Sequence, residues 1–232
     1  MAHLDLDKTF DGLGRMLYRG VATQKFPNDY VMYQMIIHEV RPDLIIEIGT
    51  MHGGSALYFA DLMETMGIEG GEVHTIDAIS VRDRQKSDFI TGLVLNIMED
   101  VDHPDIIDVH PRIKQFDKGW ENYDLANCEG FKRILVIDDA SHIRTQVLGA
   151  MEKFKRLISL GSYLIIEDGN AADVCRKPEV LRTLDGGPLM AIHEFLSVND
   201  EFRIDFRWCD MFGINSTFNT YGYLKKVKHY DR

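Results

Sequence analysis

Four short stretches of the chain are almost unbroken runs of apolar side chains: Leu44-Ile45-Ile46-Glu47-Ile48, Glu72-Val73-His74-Thr75-Ile76, Ile134-Leu135-Val136-Ile137 and Tyr163-Leu164-Ile165-Ile166. Runs of this length, rich in β-branched residues, suit strands buried on both faces of a parallel sheet. The first runs into Gly49 and the others into an acid, Asp77, Asp138 or Glu167. Between them, residues 55–66, 84–99 and 144–159 have the length of helices, and strand alternating with helix predicts a doubly wound α/β sheet. A weaker strand is expected at either 106–109 or 112–116. Near the end, residues 202–208 and 221–227 alternate apolar and polar positions and predict a final antiparallel pair at the sheet edge. Ahead of the sheet, Asn28 or Asp29 is expected to cap a helix that runs to about Val40 and is ended by Pro42. The chain therefore divides into an N-terminal helical extension, residues 1–40, and one domain over 41–232.

Composition narrows the function classes. With 45% apolar residues in 232, a packed core is attainable and general disorder is excluded. Against 37 acidic side chains stand 26 basic ones, a net charge of −11, so the chain has no overall electrostatic footprint for a nucleic acid backbone. No run approaches the roughly 20 apolar residues of a spanning helix, and the N-terminus is acidic where a signal peptide is apolar. The expectation is a cytoplasmic protein with neither membrane nor nucleic acid as partner. Cys128, Cys175 and Cys209 are odd in number and widely spaced. They suit neither a disulfide framework nor a thiolate zinc site, and read as small buried apolar residues.

In open α/β sheets, ligands bind outside the carboxyl ends of the strands. The turn after the first strand reads Glu47-Ile48-Gly49-Thr50-Met51-His52-Gly53-Gly54-Ser55, a glycine loop that permits sharp turning and close approach. Met51 replaces the middle glycine of the dinucleotide fingerprint. Glu47 would also repel a pyrophosphate and attract an ammonium. Asp77, at the end of the second strand, is placed to accept hydrogen bonds from two ribose hydroxyls. A ribose joined to a cationic amino acid end describes S-adenosylmethionine; a tight turn with two water-exposed acids is the alternative.

The next two strands end in Asp138-Asp139-Ala140-Ser141-His142 and Glu167-Asp168-Gly169-Asn170. Neighbouring strand ends lie about 4.8 Å apart, so these carboxylates can share one hard cation, for which oxygen ligands favour Mg²⁺. Solvated strand-end acids are the alternative, and alternation leaves open which of Asp138 and Asp139 points inward. His142, about one turn beyond Asp139, is a candidate general base, against the commoner structural role of a histidine.

The residues also carry a family likeness. The run from Pro42 through Glu47, Gly49 and Thr50 to Gly53-Gly54-Ser55-Ala56-Leu57 resembles the cephalosporin hydroxylase and rhamnosyl O-methyltransferase family. So do Asp139 with His142, Gly161-Ser162-Tyr163-Leu164-Ile165-Ile166-Glu167-Asp168, Gly187-Pro188 with Ala191-Ile192 and Phe195-Leu196, and Gly222-Tyr223-Leu224. The resemblance covers about residues 20 to 228. It implies a Rossmann-like class I methyltransferase that binds S-adenosylmethionine at Glu47, Gly49, Thr50, Gly53, Ser55 and Asp77. It further implies Mg²⁺ on Asp139, Glu167 and Asp168, with His142 as catalytic base. Two positions depart from the family: Asp138 stands where it has an apolar residue, and Ser141 where many members have another acid.

The expected activity is therefore metal-dependent O-methylation of a small sugar-like or polyhydroxylated natural product, as in antibiotic biosynthesis, by a homo-oligomer. Two other readings are an oxygenase or its accessory, and a non-catalytic S-adenosylmethionine-binding regulator. Nothing in the sequence supplies the two-histidine, one-carboxylate iron site of many oxygenases, and the metal acids a regulator would have lost are present. Loops at 79–87 and 171–186 are the expected acceptor cover. Arg82, Arg84, Arg176 and Lys177 in them either steer an acidic acceptor or form a solvated surface.

Overall fold

The computed structural model describes residues 12–80, 109–175 and 177–229. The helix expected at 84–99, nearly all of the alternative strand at 106–109, and Arg82, Arg84 and Arg176 lie outside them. A small antiparallel pair, β1 (Leu17–Tyr18) and β2 (Val21–Ala22), precedes α1 (Pro27–Val40). There follow β3 (Leu44–Ile48), α2 (Gly54–Thr65), β4 (Glu72–Ile76), β5 (Ile113–Phe116), β6 (Ile134–Asp138), α3 (Arg144–Phe154) and β7 (Tyr163–Ile166). The chain ends with α4 (Ala171–Val174), α5 (Pro178–Leu184), α6 (Gly187–Val198), β8 (Phe202–Ile204), α7 (Phe206–Cys209) and β9 (Tyr223–Lys226).

Seven strands form one sheet in the order β5-β4-β3-β6-β7-β9-β8. The first five run parallel, and β9 is antiparallel to both β7 and β8. The final pair is thus antiparallel as expected, but β9 inserts between β7 and β8, which leaves β8 at the edge. Residues 206–209, expected to prolong β8, instead turn into α7 after Asp205 accepts the Arg207 N–H as its cap.

Strands that read as continuously apolar are alternating once both faces are seen. Ile45, Val73, Leu135, Ile137 and Ile165 pack beneath α1 and α2, against Tyr33, Ile36, Leu57 and Phe59. Leu44, Ile46, Val136, Leu164 and Ile166 pack on the other face, against Met151 and Phe154 of α3 and Ile192 and Phe195 of α6. Each such aliphatic burial contributes about 1.5–3 kcal/mol, which is why both faces demand apolar residues. Because Met32, Tyr33, Ile36 and Ile37 of α1 are fully buried, α1 is a layer of this core.

The start of α1 differs from the sequence expectation. Phe26 occupies the cap position without a side-chain bond, Pro27 opens the helix, and Arg41 closes it in the left-handed conformation. Asp29 faces inward and takes hydrogen bonds from the Thr217 hydroxyl (2.5 Å), the Phe218 N–H and the Tyr223 hydroxyl. The pull of a buried tertiary network wins over the local cap.

Candidate active site

The carboxyl ends of β3, β4, β6 and β7 meet along one border of the sheet. Ile48 pairs with Ile76 on one side and Asp138 on the other, and Asp138 pairs with Ile166. The loops leaving these ends, together with residues 22–25, wall a cleft of about 540 Å³. Gly49, Thr50, Ser55, Asp77, Asp139, His142 and Asp168 line it. Glu47, Gly53 and Glu167 are buried and do not line it.

The glycine loop is held by its own chain. Asp77 accepts the Met51 N–H at 3.0 Å and the Ile79 N–H at 3.3 Å, tying the turn after β3 to the end of β4. Gly49 has φ +103°, and a Cβ there would lie 2.0 Å from the Asp139 carbonyl oxygen. Its missing side chain therefore lets the acid-bearing turn after β6 close against the glycine loop. Gly54 does the same for β2, since a Cβ would come 2.3 Å from the Ala22 carbonyl. Behind the loop, the Thr75 hydroxyl donates to Glu47 Oε2 at 2.8 Å and contacts the Thr50 hydroxyl at 2.7 Å. Glu47 Oε1 is buried and without a hydrogen-bond partner among the described residues. Burial pushes the Glu47 carboxyl up, opposed by the Lys25 charge and by the neighbouring Ser55 and Thr75 hydroxyls. An orphaned carboxylate oxygen beside a cleft fits an incoming ammonium, because an unmade buried hydrogen bond is costly until a donor arrives.

Strand parity extends beyond the strands themselves. Glu47, Asp139 and Glu167 share the parity of Ile45, Ile137 and Ile165 and so lie on the α1 side. Asp138 shares that of Val136 and turns to the α3 side, where burial pushes its carboxyl up to about 7. Asp139 is therefore the aspartate that faces the cleft.

At the centre of these acids stands a residue that no sequence pattern announces. Lys25, only 2% exposed, places its ammonium 2.5 Å from Asp139 Oδ2 and 2.5 Å from Glu167 Oε1. Burial alone would push this ammonium down, but Asp139 and Glu167 outweigh it and hold Lys25 well above the usual lysine range. The Tyr33 hydroxyl donates to the same Glu167 oxygen at 2.6 Å. Nothing in the sequence links position 25 to 139 and 167, so no local signal could have found it beyond a lysine two residues before a helix.

On the open side, His142 Nε2 lies 3.3 Å from Asp168 Oδ2 and 3.8 Å from Asp139 Oδ1. One donor atom from each of Asp139, His142 and Asp168 falls within 4.8 Å of the others, a spacing compatible with a single ion. His142 and Asp168 both adopt left-handed backbone, φ +56° and +52°. Strain of this kind, about 1 kcal/mol or more each, is retained where the fold aims a side chain. Withdrawal from solvent and the Asp139 charge push Asp168 up, with His142 and Lys25 opposing. Glu47, Asp139, Glu167 and Asp168 make four carboxylates around one buried ammonium. Of these groups, Asp139 and Asp168 converge with His142 as a donor set, largely hard oxygen, that fits a divalent ion such as Mg²⁺.

Comparison with known proteins places the chain. The family model described as rhamnosyl O-methyltransferase/CmcI matches residues 13–227. A rhamnosyl O-methyltransferase of Mycobacterium bovis is 32% identical over 194 residues, covering 82% of this chain and 69% of the relative. That of Mycobacterium leprae is 30% identical over 208 residues, covering 89% and 81%. Among solved structures, CmcI without ligand superposes with a TM-score of 0.60 at 23% identity, covering 98% of this chain and 82% of CmcI. CmcI solved as a Mg-SAM complex gives 0.57 at 22% identity, with the same coverage of 98% and 82%. With the family model spanning nearly the whole chain and the sheet order matching the doubly wound expectation, the chain belongs to the rhamnosyl O-methyltransferase/CmcI family and is a class I S-adenosylmethionine-dependent methyltransferase.

Proposed function

We propose that the protein transfers a methyl group from S-adenosylmethionine to a hydroxyl of a sugar-like or polyhydroxylated small molecule, with Mg²⁺ as a required ion. The observation that carries this reading is the Asp139, His142 and Asp168 donor set lining one cleft, with the buried Glu47 carboxylate behind the glycine loop that walls it. The likeness to mycobacterial rhamnosyl O-methyltransferases supports a sugar-like acceptor.

In this reading Glu47 receives the ammonium of the cofactor, Asp77 receives the ribose hydroxyls, and Gly49, Thr50, Gly53 and Ser55 shape the turn between them. Asp139, Glu167 and Asp168 form the metal set. A divalent ion there would make the acceptor hydroxyl more acidic. His142 takes the hydroxyl proton. The acceptor oxygen then forms its bond to the methyl carbon as the carbon–sulfur bond breaks, and S-adenosylhomocysteine leaves. The cleft walls hold both reactants in line, which can remove several kcal/mol of barrier, on the order of what alignment gives in other enzymes. Among the described residues the donor set has one histidine, so the oxygenase alternative lacks its two-histidine iron site.

The test is S-adenosylhomocysteine release with Mg²⁺ and a panel of rhamnosides, other glycosides and simple phenols. The reading expects turnover on glycosides that is lost with EDTA and restored by Mg²⁺. Turnover confined to phenols, or indifferent to EDTA, would overturn the acceptor or the metal part respectively.

A further inference from the structure

Lys25 has no place in the chemistry above, yet it sits at the centre of the acids that the chemistry uses. Fully buried lysines are rare unless paired, and here the pairing is with two carboxylates at once, Asp139 Oδ2 and Glu167 Oε1, each at 2.5 Å. An oxygen that close to an ammonium is not available to coordinate a metal ion at about 2.1 Å. The second oxygen of Asp139 faces the opposite way, toward His142 at 3.8 Å, alongside Asp168. The cluster is thus divided: an inner half closed by a side chain of the protein, and an outer half open to the cleft.

The route by which Lys25 arrives is fixed. β2 ends three residues before it, pressed against Gly54, where even a Cβ would clash with the Ala22 carbonyl. Pro27 starts α1 two residues after it. The Phe26 ring stacks on Phe218 with centroids 4.5 Å apart, which anchors the backbone next to the lysine. The side chain is therefore inserted by a braced segment.

We propose that Lys25 is a resident cation of the acid cluster, which shares Asp139 and Glu167 with the divalent ion and thereby sets that ion's affinity low. Its ammonium keeps the inner carboxylates compensated when no metal is present, so that the site persists empty. It also withholds Asp139 Oδ2 and Glu167 Oε1 from an incoming ion and repels it as a like charge. The ion is held by the outer oxygens and exchanges readily, which suits a metal whose remaining ligands come from the acceptor. Lys25 is a positioning residue here: it acts on the acids and not on the reacting atoms.

This inference rests on the metal reading above, and the experiment separates the two. Mn²⁺, whose free signal is read by electron paramagnetic resonance, would be titrated into metal-free wild type, Lys25→Met, Lys25→Gln and Asp168→Asn. Thermal melting would be followed in parallel with EDTA and with saturating Mg²⁺. The expected result is at least tenfold tighter Mn²⁺ binding in both Lys25 variants and loss of binding in Asp168→Asn. Both Lys25 variants should melt lower than wild type in EDTA and regain more on adding Mg²⁺ than wild type does. A variant that folds only with Mg²⁺ supports the proposal equally. Unchanged or weaker Mn²⁺ binding in a natively folded Lys25 variant would overturn it while leaving the metal reading intact. Absence of Mn²⁺ binding in every protein, wild type included, would overturn both.

Discussion

In the proposed reaction, the buried oxygen of Glu47 and the left-handed His142 carry the chemistry at the residue scale. Glu47→Gln keeps the size of the side chain and removes the charge, so S-adenosylmethionine affinity should fall at least about tenfold, consistent with losing an ion pair worth about 1.5–3 kcal/mol. Equilibrium dialysis checks this, and unchanged affinity would remove Glu47 from the cofactor site. His142→Ala should lower kcat by about 10²–10⁴, the usual contribution of a positioned base, while leaving cofactor affinity within about threefold. A matching fall in affinity would mean that the histidine holds the loop and does not take a proton. Legibility differs between these residues for a physical reason. Glu47, Asp77, Asp139, Glu167 and Asp168 all stand at strand ends, which a run of apolar residues announces. Lys25 stands in an irregular stretch, and its two partners are 114 and 142 positions away, so only the folded chain brings them together.

Parity is the organising fact at the element scale. The same two-residue repeat that sends Ile45, Ile137 and Ile165 under α1 sends Glu47, Asp139 and Glu167 to the side where α1 and its leading segment bring Tyr33 and Lys25. Gly49→Ala should therefore act at a distance. With a Cβ 2.0 Å from the Asp139 carbonyl and a left-handed φ, the turn after β6 must move away, and both cofactor and Mn²⁺ binding should weaken. Calorimetry on the folded variant that finds either ligand unaffected would contradict this coupling. The central strands were legible because burial on both faces leaves continuous apolar runs. β5 and the order of β8 and β9 were less so: Ile113–Phe116 reads IKQF, with polar residues at an edge, and no sequence pattern states which of two antiparallel strands lies inside. The expected cap at Asp29 was lost to its bonds with Thr217, Phe218 and Tyr223, contacts formed with the far end of the chain.

That long-range bond also shapes the behaviour of the whole molecule. Burial pushes Asp29 from 3.8 up to about 7, against the hydrogen bonds it accepts. Between those values the folded protein retains a proton that the unfolded chain has released, so this group's contribution to stability is full below about pH 4 and is lost as pH rises toward about 7. Asp29→Asn removes the titration. The stability difference between wild type and Asp29→Asn, from urea melts at successive pH values, should move against wild type from pH 4 to 7 and stay level above it. A difference independent of pH would show that Asp29 is ionised throughout. Across the chain, the family match over residues 13–227 goes with a seven-stranded order that brings the strand-end acids to one border of one sheet, where the proposed function gives cofactor and metal separate residues.

That separation is tested most directly by titrating S-adenosylmethionine and S-adenosylhomocysteine calorimetrically into metal-free wild type, Asp77→Ala and Asp168→Asn. The account predicts that wild type binds both nucleotides, that Asp77→Ala loses them, and that Asp168→Asn binds them as wild type does. If wild type binds neither, or if Asp168→Asn loses the nucleotide as completely as Asp77→Ala, the division of the cleft into a cofactor end and a metal end is wrong.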